Sequence, residues 1–219
     1  MHVISIASQK GGVGKSTLAV NLALLADRPR APSLLIDTDP QASLLFWRSL
    51  RSRKSPVLVP CRPRELPDVL DAAARDKVGW AFIDGPPHNG EDIAAMMRAS
   101  HLVIIPTRPA AFDLAAISAT IDMARALRRP FMVVLNGVPP KRGVAEASVV
   151  TEARKLIESM RAPVWRGSIT NRLAFSHSIA SGDAIVEYEP EGAGAQEMRH
   201  LWRDLCRTMD AMTQLKERA

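Results

Sequence analysis

The chain is poor in features that mark several large classes of protein. It has two cysteines in 219 residues, Cys61 and Cys206, far apart in the sequence. That excludes a disulfide framework and a CxxC metal site, and it favours a reducing, cytoplasmic setting. Aromatic residues make up 5% of the chain, which disfavours a stacking platform for single-stranded nucleic acid. No apolar run approaches the roughly 20 residues needed to span a bilayer. The first residues, His2-Val3-Ile4-Ser5-Ile6-Ala7, lack a basic n-region, a long apolar stretch and a small-residue cleavage site, so no signal peptide is expected. Internal repeats, low-complexity tracts and linkers are missing too.

What is present suits one sizeable core, since 47% of the residues are hydrophobic and this length is the usual size of one domain. We expect a single domain over 1–219, with 193–217 as a C-terminal helix packed on it. Lys and Arg number 29 against 23 Asp and Glu, a net charge of +6, which suits a polyanionic partner such as nucleic acid or a membrane surface. Short apolar runs alternate with longer segments of three- and four-residue apolar spacing. The strand candidates are His2–Ala7, Ser33–Asp37, Pro56–Pro60, Trp80–Asp84, Leu102–Pro106 and Phe131–Asn136; the helix candidates are Ser16–Ala26, Arg64–Asp76, Leu114–Leu127 and Glu146–Met160. This alternation predicts an α/β, doubly wound, mostly parallel sheet flanked by helices. Runs such as Leu102-Val103-Ile104-Ile105 are apolar at every position, as expected of strands covered on both faces.

The most informative stretch is Lys10-Gly11-Gly12-Val13-Gly14-Lys15-Ser16-Thr17. Glycines there let backbone N–H groups and a helix N-terminus approach phosphate; Lys15 is placed to reach the β- and γ-phosphates and Ser16 to ligate Mg2+. A plain glycine-rich turn is the alternative. At average composition the pattern arises on the order of once in ten thousand such chains or fewer, and here it follows the first strand. The expected ligands are therefore ATP and Mg2+, with Gly11, Gly12, Val13, Gly14, Lys15, Ser16 and Thr17 binding nucleotide.

This loop departs from GxxxxGK[ST], because Gln9 stands five places before Gly14 and Lys10 occupies the second place. It resembles the deviant Walker A motif of the ParA/MinD family of P-loop ATPases. The resemblance implies that Lys10 reaches the nucleotide of a second subunit, supplying charge as an arginine finger does, an effect worth ~10³ to 10⁵ in rate. The alternative for Lys10 is a solvated loop lysine.

Leu34-Leu35-Ile36-Asp37-Thr38-Asp39-Pro40-Gln41 ends an apolar run in two carboxylates at the edge where open α/β sheets bind ligands. It looks like the family's switch segment, which implies that Asp39 positions or activates the attacking water while Asp37 supports the Mg2+ shell. Either could instead cap a helix beginning near Gln41. Trp80-Ala81-Phe82-Ile83-Asp84-Gly85-Pro86-Pro87 delivers a third carboxylate. Asp84 fits a Walker B aspartate holding Mg2+ directly or through water. The family more often has threonine where Gly85 stands, which puts a local hydroxyl contact in doubt. Pro106-Thr107-Arg108-Pro109-Ala110-Ala111-Phe112-Asp113 resembles the family's loop over the dimer interface, the alternative being a connection capped by Asp113. Asn136 resembles the asparagine that recognises adenine; Asn-Gly is also a frequent turn.

The resemblance runs from residue 2 to about residue 205 and includes Arg172-Leu173-Ala174-Phe175, Ser181-Gly182 and Val186. It is closest to small ParA-type partition ATPases lacking an N-terminal helix-turn-helix domain, for which no room is expected ahead of the P-loop. Basic residues are spread over Arg48, Arg51, Arg53, Arg128, Arg129, Lys141, Arg142, Arg154, Arg199, Arg203 and Arg207. The last three recur every four positions, making one stripe on a helix that is either a solvated face or a contact for duplex DNA. Met198, Leu201, Trp202, Leu205, Met209 and Met212 make the opposite, core-facing stripe. The tail Thr213–Ala219 has one large apolar side chain, so a MinD-like membrane anchor is disfavoured, and the cysteines do not fit the cluster ligands of nitrogenase-reductase-like relatives. The resemblance thus implies an ATPase that dimerises on Mg-ATP, binds nonspecific duplex DNA on the nucleoid and positions a plasmid, chromosome or large protein assembly. A ParB-like or other cargo-adaptor activator would stimulate hydrolysis. A membrane-associated MinD-type regulator and a P-loop ligase or kinase remain as alternatives.

Overall fold

The structure is a computed structural model and describes residues 1–87, 90–140 and 146–217, with side chains described to residue 215. Lys141 and Arg142 lie outside the described residues. Seven parallel strands form one sheet in the order β3-β2-β4-β1-β5-β6-β7: β1 (His2–Ile6), β2 (Ser33–Asp37), β3 (Val57–Pro60), β4 (Trp80–Asp84), β5 (Leu102–Thr107), β6 (Phe131–Val138) and β7 (Ile169–Thr170). The helices are α1 (Lys15–Ala26), α2 (Ser43–Leu50), α3 (Leu66–Arg75), α4 (Gly90–Ala99), α5 (Ala111–Ala126), α6 (Ser148–Ser159), α7 (Leu173–Ala180), α8 (Ile185–Tyr188) and α9 (Ala193–Glu217).

Two layers of helix cover the sheet, which is why its strands are apolar on both faces. On one face Ile4, Ile6, Phe82 and Ile104 meet α1 and α9 through Leu18, Leu22, Met198, Leu201 and Leu205. On the other, Val103, Ile105, Val133 and Leu135 meet α4, α5 and α6 through Ile93, Ile117, Ile121 and Ile157. Nearby, Ile36, Ala81 and Ile83 meet Leu66, Ala73 and Met96 of α3 and α4. α1 is buried on most of its surface because α8 and α9 cover its outer side. Its one buried polar side chain beyond the first turn, Asn21, is satisfied at both ends: Nδ2 donates to the Thr17 carbonyl at 2.8 Å and Oδ1 accepts from the Ile185 N–H at 2.8 Å.

The six strand candidates are present, Ser33–Asp37 and Trp80–Asp84 with the expected ends and the other four shifted at one end by one or two residues. The sequence pattern gave α2 only as the alternative of a helix beginning near Gln41 and missed α4, α7, α8 and β7; β7 has two residues and α8 four, too few to display a period. The expected Arg64–Asp76 helix is preceded by a 3-10 turn at Pro63–Glu65, where two prolines in five residues, Pro63 and Pro67, interrupt the first amides. β1 sits between β4 and β5, so chain order reverses around it. The glycine loop therefore leaves β1 at a topological switch point, where doubly wound sheets open a crevice.

Candidate active site

β1 is buried to Ile6, and the chain then turns through the glycine loop into α1. Gly12 (φ 70°) and Gly14 (φ 90°) both adopt the left-handed region, and Gly14 occupies the N-cap of α1 without a side-chain bond. Such turns aim successive backbone N–H groups at a concavity that suits an anion. A Cβ on Gly14 would lie 2.2 Å from Asn136 Nδ2, so glycine is required there by space as well as by φ. Asn136 explains that closeness: its Nδ2 donates to the Val13 carbonyl at 2.7 Å, and the amide at the end of β6 braces the loop. Arg108 reaches the same loop from the end of β5, donating to the Gly12 carbonyl.

The loop separates two recesses. One, of about 670 Å³, is lined by Gly11, Lys15, Ser16, Asp39, Phe46 and Pro87. The other, of about 330 Å³, is lined by Thr17, Arg108, Asn136, Asn171, Arg172 and Phe175. Together they are within the usual range for a small-molecule site. Lys15 is nearly buried at 7% exposure, and its Nζ donates to the Lys10 carbonyl at 3.2 Å. Desolvation lowers its pKa, with Asp84 and Asp39 opposing.

Asp84 is the most telling side chain. Its β4 register partners are Ile6 of β1 and Asp37 of β2, which places it under the glycine loop with no exposed surface. Neither carboxylate oxygen has a hydrogen-bond partner. Burial raises its pKa from 3.8 to about 7; Ser16 and Lys15 pull the other way, the Ser16 hydroxyl lying close without completing a bond of ordinary geometry. An unpaired buried carboxylate is costly, and a divalent cation or its water would satisfy it. No three acidic, histidine or cysteine side chains converge among the described residues, which fits Mg2+, an ion held by one or two protein groups plus phosphate oxygens. Ser16 and Asp84 fit that role.

Asp37 is differently engaged. Its Oδ2 accepts from the Leu44 and Leu45 N–H groups at 3.2 and 3.3 Å, and its Oδ1 from Asp39 N–H at 3.1 Å. It caps the start of α2, and burial still raises its pKa. Asp39 lines the larger recess and accepts from Gln41 N–H at 2.9 Å. Gly85 is accounted for by packing: a Cβ there would lie 2.2 Å from Met96 Sδ, and Met96 is fully buried. The local hydroxyl comes instead from Thr38, whose Oγ1 donates to the Asp84 carbonyl at 2.8 Å.

Lys10 stands at the mouth, 41% exposed, with Nζ 3.7 Å from Asp113 Oδ1. Asp113 is therefore no cap: α5 starts at Ala111, and Asp113 lies in its first turn. Arg199, Arg203 and Arg207 lie on α9 and line neither recess. Arg199 donates to the Pro190 carbonyl at 2.5 Å and Arg207 lies 3.6 Å from Asp204, while Arg203 is exposed. Sequence reasoning missed Phe46 and Trp47 as walls of the larger recess; both sit on α2, whose eight residues carry too little pattern to announce it.

A glycine loop at the switch point, a buried lysine followed by a half-buried serine at its end and an orphaned aspartate beneath define a P-loop nucleotide-binding protein, with the second lysine Lys10 marking the deviant class. The sequence profile of the CobQ/CobB/MinD/ParA nucleotide binding domain matches residues 4–185, and the chain belongs to that family, whose ParA and MinD members are P-loop ATPases. Maintenance of carboxysome distribution protein A of Gloeobacter kilaueensis is 30% identical over 214 residues, covering 95% of this chain and 94% of that protein. The chromosome-partitioning ATPase Soj of Thermus thermophilus is 26% identical over 231 residues, covering 90% and 92%. Among solved structures, an ATP complex of a Cyanothece McdA variant superposes with a TM-score of 0.74 at 18% identity, covering 94% of this chain and 96% of that one. A Mg-ADP complex of the septum site-determining protein MinD of Pyrococcus horikoshii superposes with a TM-score of 0.73 at 19% identity, covering 93% and 95%. Among the described residues no helix is long and apolar enough to cross a membrane.

Proposed function

We propose that this protein is a ParA-type positioning ATPase: it dimerises on Mg-ATP, binds duplex DNA without sequence preference, and carries a plasmid, chromosome or large protein assembly. Partner-stimulated hydrolysis resets it. The observation that carries the reading is Lys10, a cation in the second place of the glycine loop, held at the mouth of the site and 41% exposed. It is oriented by Asp113 and free to extend toward a nucleotide on a second copy. Relatives named for carboxysome distribution and chromosome partitioning, aligned over nearly the whole chain, support the same reading.

The chemistry is phosphoryl transfer to water. Loop N–H groups and Lys15 hold the phosphates; Asp39, facing the same recess, orients the water and accepts its proton; Lys10 of the second copy neutralises charge developing on the transferred group. Ser16 and Asp84 would hold Mg2+, which would supply charge neutralisation for the phosphates. Arg108 and Asn136 brace the loop from the side of the smaller recess, where the nucleoside fits and where the free end of the Asn136 amide can meet adenine.

Lys10→Ala should keep nucleotide binding and lose ATP-dependent dimerisation, measured by sedimentation with ATP and with ADP. An unchanged dimer equilibrium would sink the proposal. Asp39→Ala should bind ATP and dimerise while turnover falls by about a hundredfold or more; normal turnover would remove Asp39 from the chemistry.

A further inference from the structure

The helices α3, α4, α5 and α6 cover one face of the sheet and contact one another in that order. Each runs back against the strands, so all four end at the strands' N-terminal edge, opposite the glycine loop. Each end carries a cation. Lys77 stands three residues before β4, Arg98 four before β5, and Arg128 three before β6. Arg161 stands three before Val164, which bridges to Val133 of β6.

Three of these four are in an unusual conformation. Lys77 (φ 59°), Arg128 (φ 51°) and Arg161 (φ 54°) adopt the left-handed region, and the one other non-glycine residue to do so among those described is Ala42. Each follows the C-cap of its helix, and the next residue's N–H closes the turn: Val78 to the Ala73 carbonyl, Arg129 to Ala124 and Ala162 to Ile157. Glycine is the residue that such a turn favours. A helix's negative end attracts cations into its last turn, but that does not select Lys or Arg for the one position where glycine is least strained.

Neighbouring arginines tie the ends together. Arg125 donates to the Met160 and Arg161 carbonyls at 2.5 and 3.1 Å, and Arg129 to the Ser100 carbonyl at 3.3 Å. Lys77, Arg98, Arg128 and Arg161 are exposed and make no ion pair among the described residues. The acids at these ends are Asp76, Asp122 and Glu158, and Asp122 lies 3.5 Å from Arg125. Helices packed 8–10 Å apart make this row about 25–30 Å long. Duplex DNA presents one phosphate per ~1.7 Å of axis, so the row has the length and charge to follow a phosphate backbone. An anionic membrane would want apolar side chains among the cations. Near this edge the exposed large apolar side chains include Met1, just before β1, and Leu156, in the last turn of α6, while the exposed aromatic rings lie elsewhere, Phe46 and Phe112 at the nucleotide edge and Tyr188 on α8.

We infer that this row, Lys77, Arg98, Arg128 and Arg161, is the surface that receives the phosphate backbone of duplex DNA, in preference to the stripe on α9. The inference rests on the DNA-binding reading above. It adds that the DNA surface and the nucleotide site occupy opposite edges of one sheet, so in a dimer joined at the nucleotide edges the two rows face outward from its two ends, and ATP acts on DNA affinity by letting one dimer hold two segments of duplex and not by reshaping either row.

The test exploits the backbone. In the triple variant Lys77→Gly, Arg128→Gly, Arg161→Gly, each change removes a charge and gives the left-handed position the residue that best tolerates it, so the melting temperature should hold. Binding to two unrelated duplexes would be measured with ATP and ADP across a salt series, beside Arg199→Ala, Arg203→Ala, Arg207→Ala and anionic phosphatidylserine vesicles. The glycine variant should bind DNA at least tenfold more weakly, with the slope of log affinity against log salt flatter by about 0.9 for each lost contact. If wild-type protein binds DNA and the glycine variant matches it, the location is overturned and the DNA reading survives. If wild-type protein binds neither duplex with any nucleotide, the DNA reading itself fails and this inference with it; capture by vesicles through the same residues would assign the row to a membrane.

Discussion

Asp84 and Glu187 are both carboxylates removed from water, and their surroundings are opposite. Glu187, on α8, accepts from Arg51 Nη1 and Nη2 at 2.8 and 2.9 Å, from Ala184 N–H at 3.1 Å, and from Arg53. Arg51 in turn is 1% exposed in its side chain, donates to the Ser55 and Gly182 carbonyls at 2.6 and 2.9 Å, and lies over the Trp47 ring. Burial acts to raise the Glu187 pKa, but the Arg51 and Ala184 bonds together outweigh it and hold it below the ordinary value. Asp84, with no such partner, is pushed up to about 7 by burial. A buried charge that the chain has fully paired holds the fold together, whereas one left unpaired under a glycine loop is kept for a ligand, at a cost in stability.

Substitutions should separate the two roles. The largest effect is expected from Arg51→Ala, which strands Glu187: breaking a buried pair costs about 3–5 kcal/mol, lowering the melting temperature by roughly 10 °C for a chain of this size. A shift under 2 °C would mean that the pair is not what joins α2 to α7 and α8. Asp84→Asn should do the reverse. In nucleotide-free protein with chelator at pH 7.5 it should stabilise by about 1–2 kcal/mol by removing the orphaned charge, while abolishing Mg2+-dependent turnover. A destabilised variant would show that Asp84 has a partner in the folded protein.

The smallest effects are those of pH, and their signs differ. A lowered Glu187 pKa contributes stability that is fully present above the ordinary value of 4.5 and is lost as pH falls through the folded value. A raised Asp84 pKa works the other way: its penalty is absent below 3.8, where the group is protonated folded and unfolded, and is complete above about 7. The advantage of Asp84→Asn should therefore vanish near pH 4, as followed by thermal melts from pH 4 to 8. A constant advantage across that range would break the comparison.

The parts legible from sequence were those whose chemistry is local. Lys10 to Thr17 declare a phosphate cradle because spacing along one turn sets which N–H groups and side chains converge. Asp37, Asp39 and Asp84 are readable because an apolar strand must deliver its last residue to the sheet edge. Gly85, where the family more often has threonine, left a local hydroxyl contact in doubt; the sequence could not show that Met96, eleven residues on, fills that space or that the Thr38 hydroxyl reaches the Asp84 carbonyl instead.

By itself, then, the sequence determined that this chain builds a parallel α/β sheet with a P-loop, through apolar periods of a few residues and a motif contained in one turn. Tertiary structure alone decided what meets the motif: Asn136 bracing Val13 across 123 residues, Arg51 paired with Glu187 across 136, Lys10 held by Asp113, and the basic helix ends gathered on one edge. Those contacts depend on strand order and on which face each crossover helix covers, and these follow from packing the whole chain rather than from any short stretch of it.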